Sequence, residues 1–359
     1  MLMQKKPALA GLPPGELAEL LKAYPPFRSR QIYQWICSGA GAFDEMSNLP
    51  VSLRKELAET FSLFSGEVSS ELRDPDGTVK LGIRLEDGAV IEAVILRDGG
   101  DRKTACLSTQ AGCPAGCIFC KTGMLGFSRN LSAREIAGQF LQLRRREPDI
   151  SHIVIMGMGE PLLNLEELRK ALDFIMESGG MNISKRRITV STCGIEKGIL
   201  DLTERGPDIR LALSLTTARE ELRRRLMPVT QANPLPLVRE ALLRYQKKRK
   251  RRITLEMVLL GGINTGIPDA EAAADFVRSG PPLDAVINLI PWNQVEGRAD
   301  SGQSLEFEGR PLRSPAPRET ADFTAALESR GLKVTQRIGK GLGISGACGQ
   351  LGVVQSSAC

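Results

Sequence analysis

Apolar residues recur at helical spacing in the first sixty positions. Leu17, Leu20, Leu21 and Tyr24 fall on one helical face, and Pro25-Pro26 ends that run. Ile32, Trp35 and Ile36 mark the inner face of a second helix beginning at Phe27, and residues 50–61 read as a third. The period then changes. Residues 81–85 and 89–96 alternate about Asp87-Gly88, a hairpin dipeptide, so two or three strands follow the helices. From Thr104 onward the two periods alternate. Strands are expected at residues 105–108, 152–156, 187–191, 211–215, 253–260 and 286–290, with amphipathic helices between them, such as 133–146 and 165–177. Such alternation gives a parallel sheet with helical crossovers. The fold class is therefore α/β. Six units suit an incomplete (β/α)6 barrel, with an open doubly wound sheet as the other arrangement. Residues 301–317 read as a loop, 318–330 as a last helix and 333–337 as a last strand before a glycine-rich tail. The expected organisation is a helical domain at 1–65, a β extension at 66–103 and a core at 104–359.

The composition is that of a globular chain: 359 residues, 42% hydrophobic. No run of about 18 apolar residues occurs, so no membrane span is expected. The start, Met1-Leu-Met-Gln-Lys-Lys, lacks the apolar centre of a signal peptide. A cytoplasmic protein is the expectation. Eight cysteines are too few in a chain this long for a disulfide framework. Three of them cluster, which points to metal in a reducing compartment.

That cluster is Cys113-Pro-Ala-Gly-Cys117-Ile-Phe-Cys120, spaced C-x3-C-x2-C directly after the first core strand. Four protein ligands are usual for an iron–sulfur cluster, so three leave one iron open to a substrate. Zinc is the competing reading, but a structural zinc takes four Cys or His ligands. The only histidine, His152, starts a strand away from this loop. The spacing resembles that of the radical S-adenosylmethionine (SAM) superfamily, in which SAM chelates the open iron of a [4Fe–4S] cluster. Ligands in such folds gather at the carboxyl ends of strands. Gly157-Met-Gly159-Glu160, Ser191-Thr-Cys-Gly194, Ser214-Leu215-Thr216 and Pro291-Trp-Asn293 all end core strands. Glycines let backbone approach a ligand, and Ser191, Ser214 and Asn293 offer groups suited to ribose and carboxylate.

Further motifs narrow the resemblance. They are Phe27-Arg-x-x-Gln31-Ile, Phe43-Asp-Glu-Met46, Gly123-x-x-Gly126-Phe-x-Arg-Asn-Leu131, Met156-Gly-Met-Gly-Glu-Pro-Leu-Leu-Asn164, Ser184-Lys-Arg-Arg187, Asn288-Leu-Ile-Pro-Trp-Asn293 and Ala347-Cys-Gly-Gln-Leu351. Over nearly its whole length the chain resembles the RlmN/Cfr family of radical SAM RNA adenine methyltransferases. The resemblance implies a partial (β/α)6 radical SAM barrel, one [4Fe–4S] cluster on Cys113, Cys117 and Cys120, and two SAM molecules per turnover. Gly159 and Glu160 match the motif that contacts the SAM amino group. Ser191, Ser214, Leu215, Thr216 and Asn293 match other SAM contacts, although Thr216 stands where the family usually has histidine. The adenine carbons flanked by nitrogens are electron-poor and do not attack a SAM methyl group directly. In the family, one SAM methylates a cysteine, which Cys348 matches. A second is cleaved to a deoxyadenosyl radical that activates the S-methyl group for addition to the ring. Cys106 matches the thiol that forms a disulfide with that cysteine and frees the product. Glu92 matches the acceptor of the ring proton. Cys37, Cys193 and Cys359 receive no role.

The resemblance favours the branch that methylates C2 of an adenine in 23S rRNA, since Gly159–Leu162 and Pro291–Asn293 read as in that branch. It extends to tRNA as a second substrate and implies an electron donor such as flavodoxin and a monomer. The alternatives are a C8-specific, Cfr-like methyltransferase and, from another class, a non-catalytic zinc-binding RNA-binding protein. Basic clusters at Arg144–Arg146, Lys185–Arg187, Arg223–Arg225 and 247–252 are expected to meet phosphates, with the N-terminal helices adding grip on RNA.

Overall fold

The computed structural model describes residues 6–97, 99–100, 102–295 and 305–352. It opens with α1 (Pro14–Leu20), α2 (Pro26–Ser38) and α3 (Val51–Thr60). Proline stands in the first turn of α1 and α2, where its missing N–H costs nothing, and α2 stops at Gly39 in the left-handed region. Next come β1 (Gly66–Arg73), β2 (Val79–Leu85), β3 (Val90–Arg97) and β4 (Lys103–Cys106). The Asp87-Gly88 turn joins β2 to β3 as expected, with Gly88 at φ 87°. β1 has almost no apolar alternation and is largely exposed, so periodicity does not reveal it.

The core continues through a small ladder, β5 (Gln110–Gly112) with β6 (Phe127–Asn130), which brackets α4 (Lys121–Met124). Then follow α5 (Ala133–Arg146), β7 (His152–Ile155), α6 (Leu165–Met176), β8 (Ile188–Thr192), α7 (Glu196–Arg205), β9 (Arg210–Ser214), α8 (Glu220–Leu226), α9 (Leu235–Arg249), β10 (Ile253–Leu259), α10 (Ile267–Arg278) and β11 (Ala285–Pro291). All six expected core strands are present. Part of the expected loop at 301–317 lies outside the described residues. Its described part carries a two-stranded ladder, β12 (Glu306–Phe307) with β13 (Arg310–Pro311). The helix α11 (Pro317–Ser329) and strand β14 (Val334–Gln336) complete the order.

Ten strands form one sheet in the order β1-β2-β3-β4-β7-β8-β9-β10-β11-β14. The first four are antiparallel, and from β4 to β14 every pairing is parallel. A doubly wound sheet reverses its strand order at a switch point; here the order never reverses, which is the winding of a barrel. Among the described residues the end strands β1 and β14 do not pair, so the barrel is open. The β2–β3 hairpin forms part of the antiparallel flank of this sheet.

The helices pack outside. α5 begins at a capping box, in which the Ser132 side chain accepts from the Glu135 N–H and Glu135 accepts from the Ser132 N–H. It buries Ile136, Phe140, Leu141 and Leu143. The N-terminal helices dock on α5 and α6. Tyr33 meets Phe174 edge-on at 5.9 Å, and Arg134 donates to the Ala8 carbonyl at 3.3 Å. Among the described residues no helix is long and apolar enough to cross a membrane.

Candidate active site

The segment leaving β4 is held by buried amide side chains. Gln139 accepts from the Ser108 N–H at 2.8 Å and donates to the Ser108 carbonyl at 2.9 Å. The Ser108 hydroxyl donates to the Glu92 carbonyl at 2.6 Å and accepts from the Met158 N–H at 2.8 Å. Asn164 donates to the carbonyls of Thr109 and Leu131, each at 2.8 Å. Gly112 then turns the chain at φ 77°, where a Cβ would strike the Gly126 carbonyl. This scaffold delivers Cys113, Cys117 and Cys120 into one cavity of about 160 Å³, lined also by Gly157, Gly159, Glu160, Ser191, Ser214, Glu256, Asn293 and Cys348. Residues from five successive strands and the tail share this cavity, which is the barrel mouth.

The three thiols fit a cluster. Burial pushes Cys113 up to about 12, and pushes Cys117 well up and Cys120 up. Each of Cys113 and Cys117 is further raised by the charge of Cys120, so the three are neighbours. Such thiols stay protonated until a metal replaces the proton. The backbone N–H of Ala115 faces Cys113, and those of Thr122 and Gly123 face Cys120. Amides aimed at sulfur are a means of tuning iron–sulfur centres. Among the described residues, no three His, Cys, Asp or Glu side chains are spaced to hold a single ion.

Gly159 sits at φ 102°, and a Cβ there would come within 2.5 Å of the Gln110 side chain. The Gln110 oxygen accepts from the Glu160 N–H at 2.8 Å. Glu160 is buried, and burial raises its pKa. Its two oxygens accept from the Leu162 N–H at 3.0 Å and the Cys193 N–H at 2.7 Å, and the side chains of Cys193 and Thr192 also hydrogen-bond to the carboxylate. Ser191 donates to Glu256 at 2.7 Å and lies 3.2 Å from the Ser214 hydroxyl. Glu256 is a buried carboxylate in the mouth that the sequence reading missed. Its signal was a charge inside the apolar run of β10.

Leu215 and Thr216 are fully buried and do not line the cavity. Thr216 has φ 59°, a strained value for a β-branched residue. Its N–H donates to the Glu256 carbonyl at 3.0 Å, and its own carbonyl accepts from Asn264 at 2.9 Å. Arg223, expected on a phosphate-binding face, is instead wholly buried. It donates to the carbonyls of Leu215, Ser214 and Cys193 and to the Thr230 hydroxyl, tying β9 to the loop after β8. Arg223→Met is expected to cost roughly 3 kcal/mol, since it strands buried carbonyls. A denaturant midpoint unchanged from wild type would refute that role.

A second cavity, of about 320 Å³, is lined by Cys106, Leu96, Met156, Asn293, Arg337 and Cys348 among others. Cys348 and Asn293 line both cavities. Burial pushes the Cys106 thiol up to about 12, with Cys348 the next cause. The tail reaches this junction through a series of anchors. Asp76 and Asp74 accept from the N–H groups of Gly341 and Gly343 at 2.9 and 2.8 Å. Asn293, expected on SAM, donates to the Cys348 carbonyl at 3.0 Å. Gln350 donates to the Gln294 carbonyl at 2.8 Å, and Thr122 to the Leu351 carbonyl at 2.6 Å. Glu92 accepts from the Gly352 N–H at 2.6 Å. Glu92 is 2% exposed, so this strand carboxylate does not face solvent. It alternates onto the same face of β3 as Leu96.

The other basic clusters lie away from the mouth. Arg146 meets Glu71 at 3.1 Å and Arg145 stacks on Phe64, both contacts of α5 with chain segments before the core. The 247–252 run precedes β10 and Lys185–Arg187 precedes β8, so both sit at the strand starts, opposite the mouth.

A barrel mouth holding three clustered thiols defines a radical SAM enzyme, and residues 107–273 match the model of the radical SAM superfamily. Residues 9–63 match the ribosomal RNA large subunit methyltransferase N-terminal domain. The chain is 47% identical to a protein of Treponema denticola described as a probable dual-specificity RNA methyltransferase RlmN, over 97% of this chain and 96% of that one. It is 38% identical to the dual-specificity RNA methyltransferase RlmN of an Anaeromyxobacter species, covering 97% and 91%. A solved radical SAM methyltransferase from Sphaerobacter thermophilus superposes with a TM-score of 0.88 at 36% identity, covering 96% and 99%. The chain belongs to the RlmN family of radical SAM RNA methyltransferases. A [4Fe–4S] cluster and SAM are the cofactors of that class.

Proposed function

We propose that this protein methylates C2 of an adenine in 23S rRNA, and an adenine of tRNA as a second substrate, using Cys348 as the methyl carrier. The observation that carries the reading is the position of Cys348, which lines the cavity of the cluster thiols and, on its other side, the cavity of Cys106. A carrier must meet SAM on one side and the base on the other. Cys113, Cys117 and Cys120 would hold the cluster, which supplies the electron that cleaves SAM. Gly159, Glu160, Ser191, Ser214 and Asn293 would hold SAM, with Leu215 and Thr216 acting through backbone and packing.

The thiol of Cys348 takes a methyl group from one SAM, and a second SAM is consumed in the same turnover. Glu92 accepts the ring proton. Cys106 bonds to the Cys348 sulfur as the bond from that sulfur to the methylene carbon breaks; the carbon keeps the electron pair, takes up a proton and leaves as the methyl group of the base. A reductant of the flavodoxin kind supplies electrons and restores both thiols. Residues 1–65 grip RNA, 66–103 carry Glu92, and 104–359 perform the chemistry. The basic strand-start face offers phosphate contacts remote from the base. The protein acts as a cytoplasmic monomer.

The test is anaerobic turnover with reconstituted cluster, SAM, reductant and a 23S rRNA fragment, followed by nucleoside mass analysis against standards. The expected product is 2-methyladenosine, with methyl-Cys348 in the protein. 8-Methyladenosine would overturn the C2 reading, and colourless zinc-loaded protein without SAM cleavage would overturn the whole.

A further inference from the structure

Lys80 is charged, lies on β2 and is 8% exposed. Burying an ammonium group requires a partner. Its Nζ lies 2.9 Å from Glu92 Oε1 and donates to the Ser345 carbonyl at 3.2 Å. The other Glu92 oxygen accepts from the Gly352 N–H at 2.6 Å. The pair therefore grips the tail at two points, one on each side of Cys348.

We infer that Lys80 is a positioning residue that acts through Glu92, fixing the orientation of its carboxylate while the Cys348 loop keeps its other anchors. The inference rests on the reading of Glu92 as the proton acceptor. A carboxylate held at both oxygens keeps one orientation, and a proton acceptor loses efficiency steeply when misplaced. The same contacts make proton uptake a signal to the loop. When the C2–H proton moves to Glu92 and its bonding electrons stay with the adenine–Cys348 adduct, the carboxylic acid no longer pairs with Lys80. The Gly352 N–H then loses an ionised acceptor. The anchor at Gly352 weakens at the step before Cys106 must reach Cys348, and the ion pair that orients Lys80 toward Ser345 is lost with it. The anchors at Gly341, Gly343, Cys348, Gln350 and Leu351 do not involve either residue.

The test uses full-length, cluster-loaded protein and separates methyl loading of Cys348 from resolution of the adduct. Lys80→Met is expected to load Cys348 from SAM at the wild-type rate. It should release methylated RNA about 10- to 100-fold more slowly while protein–RNA adduct accumulates. Lys80→Arg should restore most of the release rate. The double variant Lys80→Met/Glu92→Gln removes both buried charges, which guards against misfolding of the single variant. It should behave as Glu92→Gln alone. Equal loss of loading and release in Lys80→Met would reduce Lys80 to a structural prop and overturn the inference, as would wild-type release. If Glu92→Gln itself accumulates no adduct, the proton-acceptor reading fails first, and that result is distinct from normal adduct in Glu92→Gln with none in Lys80→Met.

Discussion

Cys348→Ala is expected to abolish RNA methylation, by about 10⁴-fold or more, while leaving the cluster and reductive SAM cleavage in place. The separation follows from how the tail is held. Its contact with Asn293 uses the Cys348 carbonyl, and its neighbours are tied through Gln350, Leu351 and Gly352. None of these uses the sulfur, so alanine keeps the loop and removes only the carrier. The stability change should stay within about 1 kcal/mol. Deoxyadenosine formed without methylated RNA, together with an unchanged visible spectrum, is the expected pattern. Retained methylation would move the carrier role elsewhere.

Cys106→Ala should fail later in the cycle. Cys106 is buried on β4 and lines the second cavity but not the first. Loading of Cys348 and attack on the base should proceed, and the covalent protein–RNA adduct should then persist because no thiol resolves it. A single-turnover assay should find near-stoichiometric adduct on denaturing gels, and less than about 1% of wild-type product. The lost sulfur leaves a small void costing about 1 kcal/mol, which a folded, adduct-forming protein tolerates. Free product at the wild-type rate would exclude the resolving role.

How far the sequence carried this picture depends on what kind of signal each residue leaves. Strand and helix positions in the core are legible because apolar periodicity repeats unit after unit, and α5 begins where a Ser-x-x-Glu box says it should. The barrel winding is not legible: the same βα alternation also suits a doubly wound sheet, and only the unreversed strand order separates them. The cluster thiols announce themselves by spacing. Glu256 does not, because it is one charge in an apolar strand and its partner Ser191 lies far along the chain. Lys80 does not either, since nothing local separates it from Arg84 on the same strand, which is exposed. Arg223 was misread for a related reason. Its neighbours Arg224 and Arg225 are exposed, and a run of like residues gives no sign of which one turns inward. Thr216 matches a ligand contact by motif; the structure shows it buried on a left-handed backbone, and no local pattern foretells a threonine at φ 59°.

The clasp on the tail spans almost the whole polypeptide. Lys80 and Ser345 are 265 residues apart in sequence, and Asp74 and Gly343 are 269 apart. One half of the clasp is therefore made of residues between Asp74 and Glu92 and the other of residues between Gly341 and Gly352. Every strand of the parallel sheet lies between them in the chain. During synthesis the β2–β3 flank can fold while the loop that carries Cys348 does not yet exist, so that loop meets a surface already formed. The seat of Cys348 is in this sense a late addition to a finished wall.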